Sequence, residues 1–506
     1  MHRSSRFAAV VCFGLIAAIA AANTSLAAEK KTGEKAKKRP NVLWIMMDDC
    51  RADALGCYGQ PWAKTPNMDA IAKRGVRFDV AIVQNPVCVP SRSSMDASQY
   101  PHTLGIMAMG RPAEVPPPYL SKEWKKYPSL LKQWNTVGIQ PVNVGKIHAY
   151  RQDWASRGDV PPNIAHSGKA RSPELQKKMD AFAAKNPYPA VMTKTHNWQI
   201  GGVIPIKPEE SRPWKLGDKA VAALEELAAG DEPFFLRVSF HAPHVACSVP
   251  PEYMIDPATI KLPIPTQKEL DSKPPFERDP LRVYAGGLDL TKKQIGTARG
   301  TYYGMVWLVD TQVGRLLDVL RKSGKLDNTI IAVNSDQGFQ LGEHGLWKKR
   351  VLYEQNVRVP LVLSCPKLLP QGKVLAEPVE LVDFLPTLLE LSAIDVPEGI
   401  AGRSLLPLIR GEVKTWREAC FCDIDHAKSM YKELRGTGRR VMVRTKKWKL
   451  IFFLDPRAKE KDGALYNLET DPGETVNLYG DPKHRDIVNR LEKRAGDWAR
   501  RRSRFE

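Results

Sequence analysis

Cys88-Val89-Pro90-Ser91-Arg92 brings a thiol, a helix-starting proline and a guanidinium into one short stretch. Pro90 suits the first turn of a helix, which sets Cys88 at that helix's N-terminus, where the dipole favours developing negative charge. A lone cysteine in such a place is as often a small apolar filler as a nucleophile. Its distant company decides the matter. Asp48 and Asp49 end one apolar run, and Asp336 with Gln337 ends another. Three carboxylates and an amide are all oxygen donors, the set that suits a hard divalent cation such as calcium or magnesium. A single Asp pair could merely cap a turn, but two acidic strand ends in one sheet need a cation to offset their repulsion.

Basic groups complete the inventory. Lys146 and His148 stand two apart in GKIH, His241 and His244 bracket HAPH, and His344, Lys348 and Lys349 lie in LGEHGLWKKR. Each alone reads as a solvated or core residue. Together with Arg92 they describe a pocket for a tetrahedral dianion: Arg for forked hydrogen bonds, Lys as point charges, His as proton donor.

The elements that must position these groups follow from hydrophobic patterning. NVLWIMM (41–47) and TIIAV (329–333) are unbroken apolar runs, as in strands buried on both faces of a parallel sheet. FFLRVSF (234–240) is a third, preceded by a helix and ending at His241. Residues 65–75 read as a short helix closed by Gly75, and 300–323 as a long one. Strands alternating with helices give an α/β class with a large, mostly parallel sheet, whose ligands bind beyond the strands' carboxyl ends. Residues 111–213, rich in Pro, Lys and Trp, read as insertions around a site. The expected division is a signal segment at 1–28, a basic tether at 29–39, a catalytic domain at 40–411 and a smaller C-terminal α+β subdomain at 412–506. In the last, residues 441–453 alternate like one antiparallel strand, 463–468 pair with it, and 486–504 form an amphipathic, Arg-rich helix.

The chain of 506 residues is 43% apolar and 26% charged, close to globular averages, which excludes long disorder, collagen-like repeats and a disulfide miniprotein. Its start has Arg3 and Arg6, an apolar run from Phe7 to Ala22 and small residues near Ala27, the layout of a cleaved secretory signal. Export to the periplasm or medium is expected, without stable membrane insertion. Beyond Cys12 remain seven cysteines with no zinc-type spacing, an odd count that leaves at least one thiol unpaired. The net charge of +20 lies partly in the tether and the terminal arginines. The rest suits a polyanionic partner, and nucleic acid is excluded because no recognition module appears.

The ordered series NVLWIMMDDCRADALGCYG, CVPSR, VGKIH, HAPH, NSDQGFQLGEHGLWKK, LYEQNVRVPLV, VDFLPTLLEL and LYNLETDPGETVNL resembles the type I, formylglycine-dependent sulfatases of the alkaline-phosphatase superfamily. It is most similar to the iduronate-2-sulfatase-like group, over nearly the whole mature chain. The resemblance implies that a maturase oxidises Cys88 to formylglycine, and that the hydrated aldehyde binds a Ca2+ ion held by Asp48, Asp49, Asp336 and Gln337. One diol oxygen then attacks sulfur, and the other collapses to the aldehyde and expels sulfate. Arg92, Lys146, His244 and Lys349 are implied to stabilise the sulfate, His148 to steady the formylglycine hydroxyl, and His244 or Lys349 to protonate the leaving oxygen. Two positions depart from the family pattern: Ala97-Ser98-Gln99 stands where Thr-Gly-Arg is usual, and Gln337 where Asn or His is usual. The implied substrate is a sulfated carbohydrate. A formylglycine-dependent phosphonate or phosphate ester hydrolase, and an unmodified glycan-binding relative, are the alternatives.

Overall fold

A strand with no polar face can be satisfied only between two neighbours, and the run from Asn41 is placed so. It forms β1 (Asn41–Asp48), every residue of it buried. The chain adds β2 (Val76–Phe78), β3 (Pro141–Gly145), β4 (Ala155–Ser156), β5 (Phe235–Pro243), β6 (Thr329–Ser335), β7 (Leu361–Ser364) and β8 (Lys373–Leu375). These make one eight-stranded sheet of order β8-β2-β7-β6-β1-β5-β3-β4. β1 pairs in parallel with β5 and β6. β7 alone runs antiparallel to its two neighbours, β2 and β6. In this computed structural model the described residues are 39–107, 125–127, 129–149, 154–159, 177, 180–182, 185–194, 197–274, 286–426, 438–454 and 463–500. The expected signal, most of the tether, much of the insertion region and the last residues of the expected C-terminal helix lie outside them.

Helices α1 (Pro66–Lys73), α2 (Cys88–Ala97), α3 (Arg212–Ala229), α4 (Lys292–Lys322) and α5 (Phe384–Leu391) cover the sheet. Alternate residues of β1 enter two different cores, as the strand period dictates. Leu43, Ile45 and Met47 pack with Leu216 and Leu224 of α3 and with Val306, Val313 and Leu320 of α4. Val42, Trp44 and Met46 pack with Phe384, Leu385 and Leu388 of α5 on the other face. The expected helix at 300–323 starts earlier, at Lys292, because Thr291 and Gln294 close a capping box there. α2 ends at Ser98, whose φ of 50° is a left-handed cap more usual for glycine.

The C-terminal residues form an antiparallel sheet of β9 (Ala419–Asp425), β10 (Arg439–Thr445), β11 (Trp448–Phe453) and β12 (Ala464–Asn467). Helix α6 (Arg485–Arg500) buries Val488, Leu491 and Trp498 against Val441, Val443, Leu450 and Leu465. The single strand expected at 441–453 is therefore two, β10 and β11, joined by a turn at Lys446-Lys447. The Thr445 hydroxyl closes it by accepting from the Trp448 amide at 2.8 Å. The described residues from Pro40 onward cohere as one compact unit. All seven described cysteines are free, and no described helix is long and apolar enough to cross a membrane.

Candidate active site

β1 and β6 lie side by side, Met46 opposite Asn334 and Met47 opposite Ser335. Asp48, Asp49, Asp336 and Gln337 consequently emerge together at the carboxyl edge of the sheet, all fully buried. Consecutive strand residues point to opposite faces, yet Asp48 and Asp49 both reach the Gln337 side chain. The left-handed turn at Asp49 (φ 67°) makes this possible. Tyr302 holds the turn: its hydroxyl donates to the Asp49 carbonyl at 2.7 Å and accepts from the Arg51 amide at 3.1 Å.

The first residue of α2 is Cys88, and the whole helix is buried. The Cys88 Sγ lies 3.5 Å from Asp48 Oδ1, 3.3 Å from Gln337 Nε2 and 2.7 Å from Lys349 Nζ, and His148 also hydrogen-bonds it. One turn on, Arg92 Nε donates to Asp336 Oδ2 at 2.6 Å, and another guanidinium nitrogen donates to Ser239 Oγ at 3.0 Å. Lys146 follows β3 and donates to Asp48 Oδ2. The preceding Gly145 has φ +95°, and a Cβ there would meet the Ser239 carbonyl oxygen at 2.3 Å, so only glycine brings the lysine in this close. Lys349 Nζ also donates to Asp49 Oδ1 at 2.8 Å, and His244 Nε2 stands 3.8 Å from Asp49 Oδ2.

Ligand atoms of Asp48, Asp49, Cys88 and His244 all lie within 4.8 Å of one another. Oxygen ligands sit about 2.3–2.6 Å from calcium, so two of them can be at most about 5.2 Å apart, and the cluster fits one ion. Two buried oxygens here, Asp49 Oδ2 and Gln337 Oε1, have no hydrogen-bond partner. Unfilled hard acceptors at the centre of a carboxylate cluster fit a cation. A half-turn of the Gln337 amide exchanges its nitrogen, now against the carboxylates, for that oxygen. Asp336 lies beside this cluster and carries several hydrogen bonds. Arg92 takes one of its oxygens, and the other accepts from the Asp49 and Gln337 amides at 3.2 and 3.0 Å. It thus fixes the turn and the guanidinium beside the cluster that Asp48, Asp49, Cys88 and His244 form.

Electrostatics sort these groups. Burial raises every carboxyl here, yet Lys146, His244, Lys349 and Arg92 hold Asp48 well below the usual range. Burial lifts Asp49 despite Lys349, and pushes Asp336 up to about 7 despite Arg92. Burial and Asp48 oppose a Cys88 thiolate, but Lys146, Lys349 and His148 bring the thiol well below its ordinary value. Against the cost of burial, Asp49, Cys88 and Asp48 keep Lys349 charged. His244 is likewise opposed by burial and by Lys349, and raised by Asp49 and Asp48.

The structure thus gathers Asp48, Asp49, Cys88, Arg92, Lys146, His148, His244, Asp336, Gln337 and Lys349 around one point. It does not bring in His344, which stacks on Tyr353 and bonds Glu269, nor Lys348, which lies over the Trp198 ring. Ser239 and Tyr302, which hold Arg92 and the Asp49 turn, carry no local motif in the sequence.

Comparison with known proteins agrees with this geometry. Residues 40–394 match the Sulfatase family and 342–500 match the N-sulphoglucosamine sulphohydrolase C-terminal family. An N-acetylglucosamine-6-O-sulfatase of Bacteroides thetaiotaomicron is 28% identical, covering 93% of this chain and 88% of its own. Iduronate 2-sulfatase of Mus musculus is 29% identical, covering 72% and 71%. Among solved structures, a phosphonate monoester hydrolase of Silicibacter pomeroyi superposes with a TM-score of 0.74 at 23% identity, covering 90% of this chain and 94% of that one. With its family match spanning well over half its length, from the first strand through α5, this chain belongs to the sulfatase family.

Proposed function

We propose that the protein is an exported, calcium-dependent sulfuric ester hydrolase, acting on a sulfated sugar or polysaccharide fragment after a maturase converts Cys88 to formylglycine. The observation that carries the reading is the position of Cys88, at a helix N-terminus, in contact with the acidic cluster and Lys349 and under the field of Lys146. The secretory layout of the N-terminal sequence supports export, and the similarity to the Bacteroides N-acetylglucosamine-6-O-sulfatase supports a sugar.

Asp48, Asp49, Asp336, Gln337 and position 88 would hold the ion. The ion would supply a positive charge to polarise the sulfate, and formylglycine would supply an oxygen nucleophile. The chain's own residues do the rest. Arg92, Lys146 and Lys349 converge on the same point and neutralise the sulfate oxygens, fixed in place before substrate arrives. His148 orients the group at position 88. Nδ1 of His244 is bonded to the Val245 carbonyl, so its Nε2 faces the site, and the carboxylates that favour its protonated form give it a proton for the leaving alcohol. Burial of the acidic cluster keeps bulk water from competing.

Peptide mass spectrometry across Cys88, on protein from its native host, tests the reading together with turnover of 4-nitrophenyl sulfate. A retained thiol and no turnover would leave only a glycan-binding protein. A phosphonate hydrolase is the second reading, favoured by the fold neighbour. At 23% identity that likeness speaks to fold alone, and a faster aryl phosphonate than aryl sulfate reaction would establish it.

A further inference from the structure

Beside the acidic cluster lies a cavity of 340 Å³, and Lys146 and His244 form part of its wall. Arg212 and His241 line it too, and Leu216 and Met305 give it an apolar side. Arg212 is the first residue of α3, so its guanidinium projects from the end of the helix that favours negative charge. One of its nitrogens is 2.7 Å from His241 Nε2 and 3.5 Å from Asp159 Oδ2, and His241 Nε2 is 3.1 Å from the same carboxylate. The other ring nitrogen of His241, Nδ1, is buried with no hydrogen-bond partner. Arg212 is close enough to the metal-site carboxylates for Asp48 to act on its charge. Lys146, His244 and Arg212 all line the cavity; the first two face Asp48 and Asp49, and Arg212 faces Asp159 behind the wall. The sulfate being cleaved uses the first two. Arg212 and the free His241 nitrogen are left over.

We propose that Arg212, with His241, reads a second oxyanion on the substrate, a further sulfate or a carboxylate, on the sugar that carries the scissile ester or on its neighbour. The inference rests on the sulfate-ester reading and extends it: the preferred substrate is at least doubly anionic, with an apolar ring face against Leu216 and Met305. Guanidinium suits this role because its forked donors match an oxyanion in two contacts, and burial strengthens each of them. Asp159 holds the guanidinium in place and competes with the incoming anion.

The test uses the mature enzyme with 4-nitrophenyl sulfate turnover as reporter. The competitors are a monosulfated hexosamine, its disulfated counterpart and a monosulfated hexuronic acid. In the unaltered enzyme the disulfated or the uronic probe inhibits about tenfold or more tightly than the monosulfated one, and whichever does so names the second group. Arg212→Ala brings that ratio to within about twofold of one. Arg212→Lys keeps part of it, since a point charge remains without the fork. Asp159→Asn widens it. Titration calorimetry with the same probes gives the ratio without turnover. A ratio near one in the unaltered enzyme, or an unchanged ratio in both Arg212 variants, overturns the subsite. Absent turnover of the aryl ester with an intact calorimetric ratio overturns the hydrolase reading and leaves the subsite standing.

Discussion

Calcium added to chelator-stripped protein should raise its melting temperature, and the size of the rise can be worked from the site. Metal at about a hundred times its dissociation constant stabilises a fold by about 2.7 kcal/mol. Unfolding entropy is about 2.1 cal/mol/K per residue, so a unit spanning 40–506 gains roughly 3 °C. Replacing Gln337 by Leu removes the unpartnered Oε1 while every charge stays. A tenfold loss of affinity, about 1.4 kcal/mol, then halves the rise. Asp49→Asn removes a charged ligand, leaves Lys349 without its carboxylate partner and cuts the rise further, to below about 1 °C. Asp497→Asn, on the exposed face of α6 with its carboxylate between Lys493 and Arg500, keeps the full effect. Scanning fluorimetry at one fixed heating rate, with EDTA against calcium, measures all four proteins. Equal rises in the unaltered, Gln337 and Asp49 proteins, or no rise at all, would refute the assignment of the acidic cluster to a cation.

Lys146→Ala should lower kcat for an aryl sulfate by roughly 10²–10³, the usual loss for one oxyanion donor, with a smaller change in KM; a change confined to KM would remove it from transition-state stabilisation. Burial pushes the His344 imidazole down to about 4, so the fold prefers it neutral. Its contribution is complete above the unfolded value near 6.5 and is lost as pH falls towards 4, about 3 kcal/mol in all. Urea melts at stepped pH should show a shallower acid slope in His344→Phe, which keeps the stack on Tyr353; identical slopes would count against it. Lys449 Nζ lies 2.8 Å from Glu474 Oε1 and 3.2 Å from Glu354 Oε1, all three buried or nearly so. Lys449→Met should cost about 3–5 kcal/mol, because it takes the ammonium from buried Glu474 and leaves Glu354 with Arg444 beside it. A denaturation midpoint unchanged from the parent would show that the pair is not a sealed one.

Legibility followed the range of each signal. The strand at 41–47, the one at 329–333 and the helix start at Cys88 were readable because each depends on a contiguous run or a single proline. Their acidic ends were readable because charge at the tip of an apolar run is conspicuous. The hairpin at 439–453 was not. Its turn at Lys446-Lys447 holds neither Gly nor Pro, and the residue alternation passes through it unbroken, so one strand and two look alike. The antiparallel β7 is too short for sequence to reveal direction. The place of Asp336 at a strand tip is legible, whereas its hydrogen bonds to Arg92 and the Asp49 amide depend on chain segments more than two hundred residues away. Ser239, Tyr302 and Arg212 act through such remote partners too, and nothing beside them in the chain marks them.

The complete enclosure of α2 has a consequence for the order of events in making this protein. Cys88 is buried, as are all ten residues of α2, so the cavity beside Lys146 and His244 can bring a small sulfate group towards it while the peptide around it stays packed in the fold. The residues flanking Cys88 are helical and buried in the finished fold, so they offer no extended peptide to an oxidising enzyme. On the proposed reading, conversion must come before collapse, in a race between two catalysts of the newborn polypeptide: the maturase and folding itself. A copy that folds first is permanently blank, so slowing the closure of β1 against β6 should raise the active fraction even as it lowers stability.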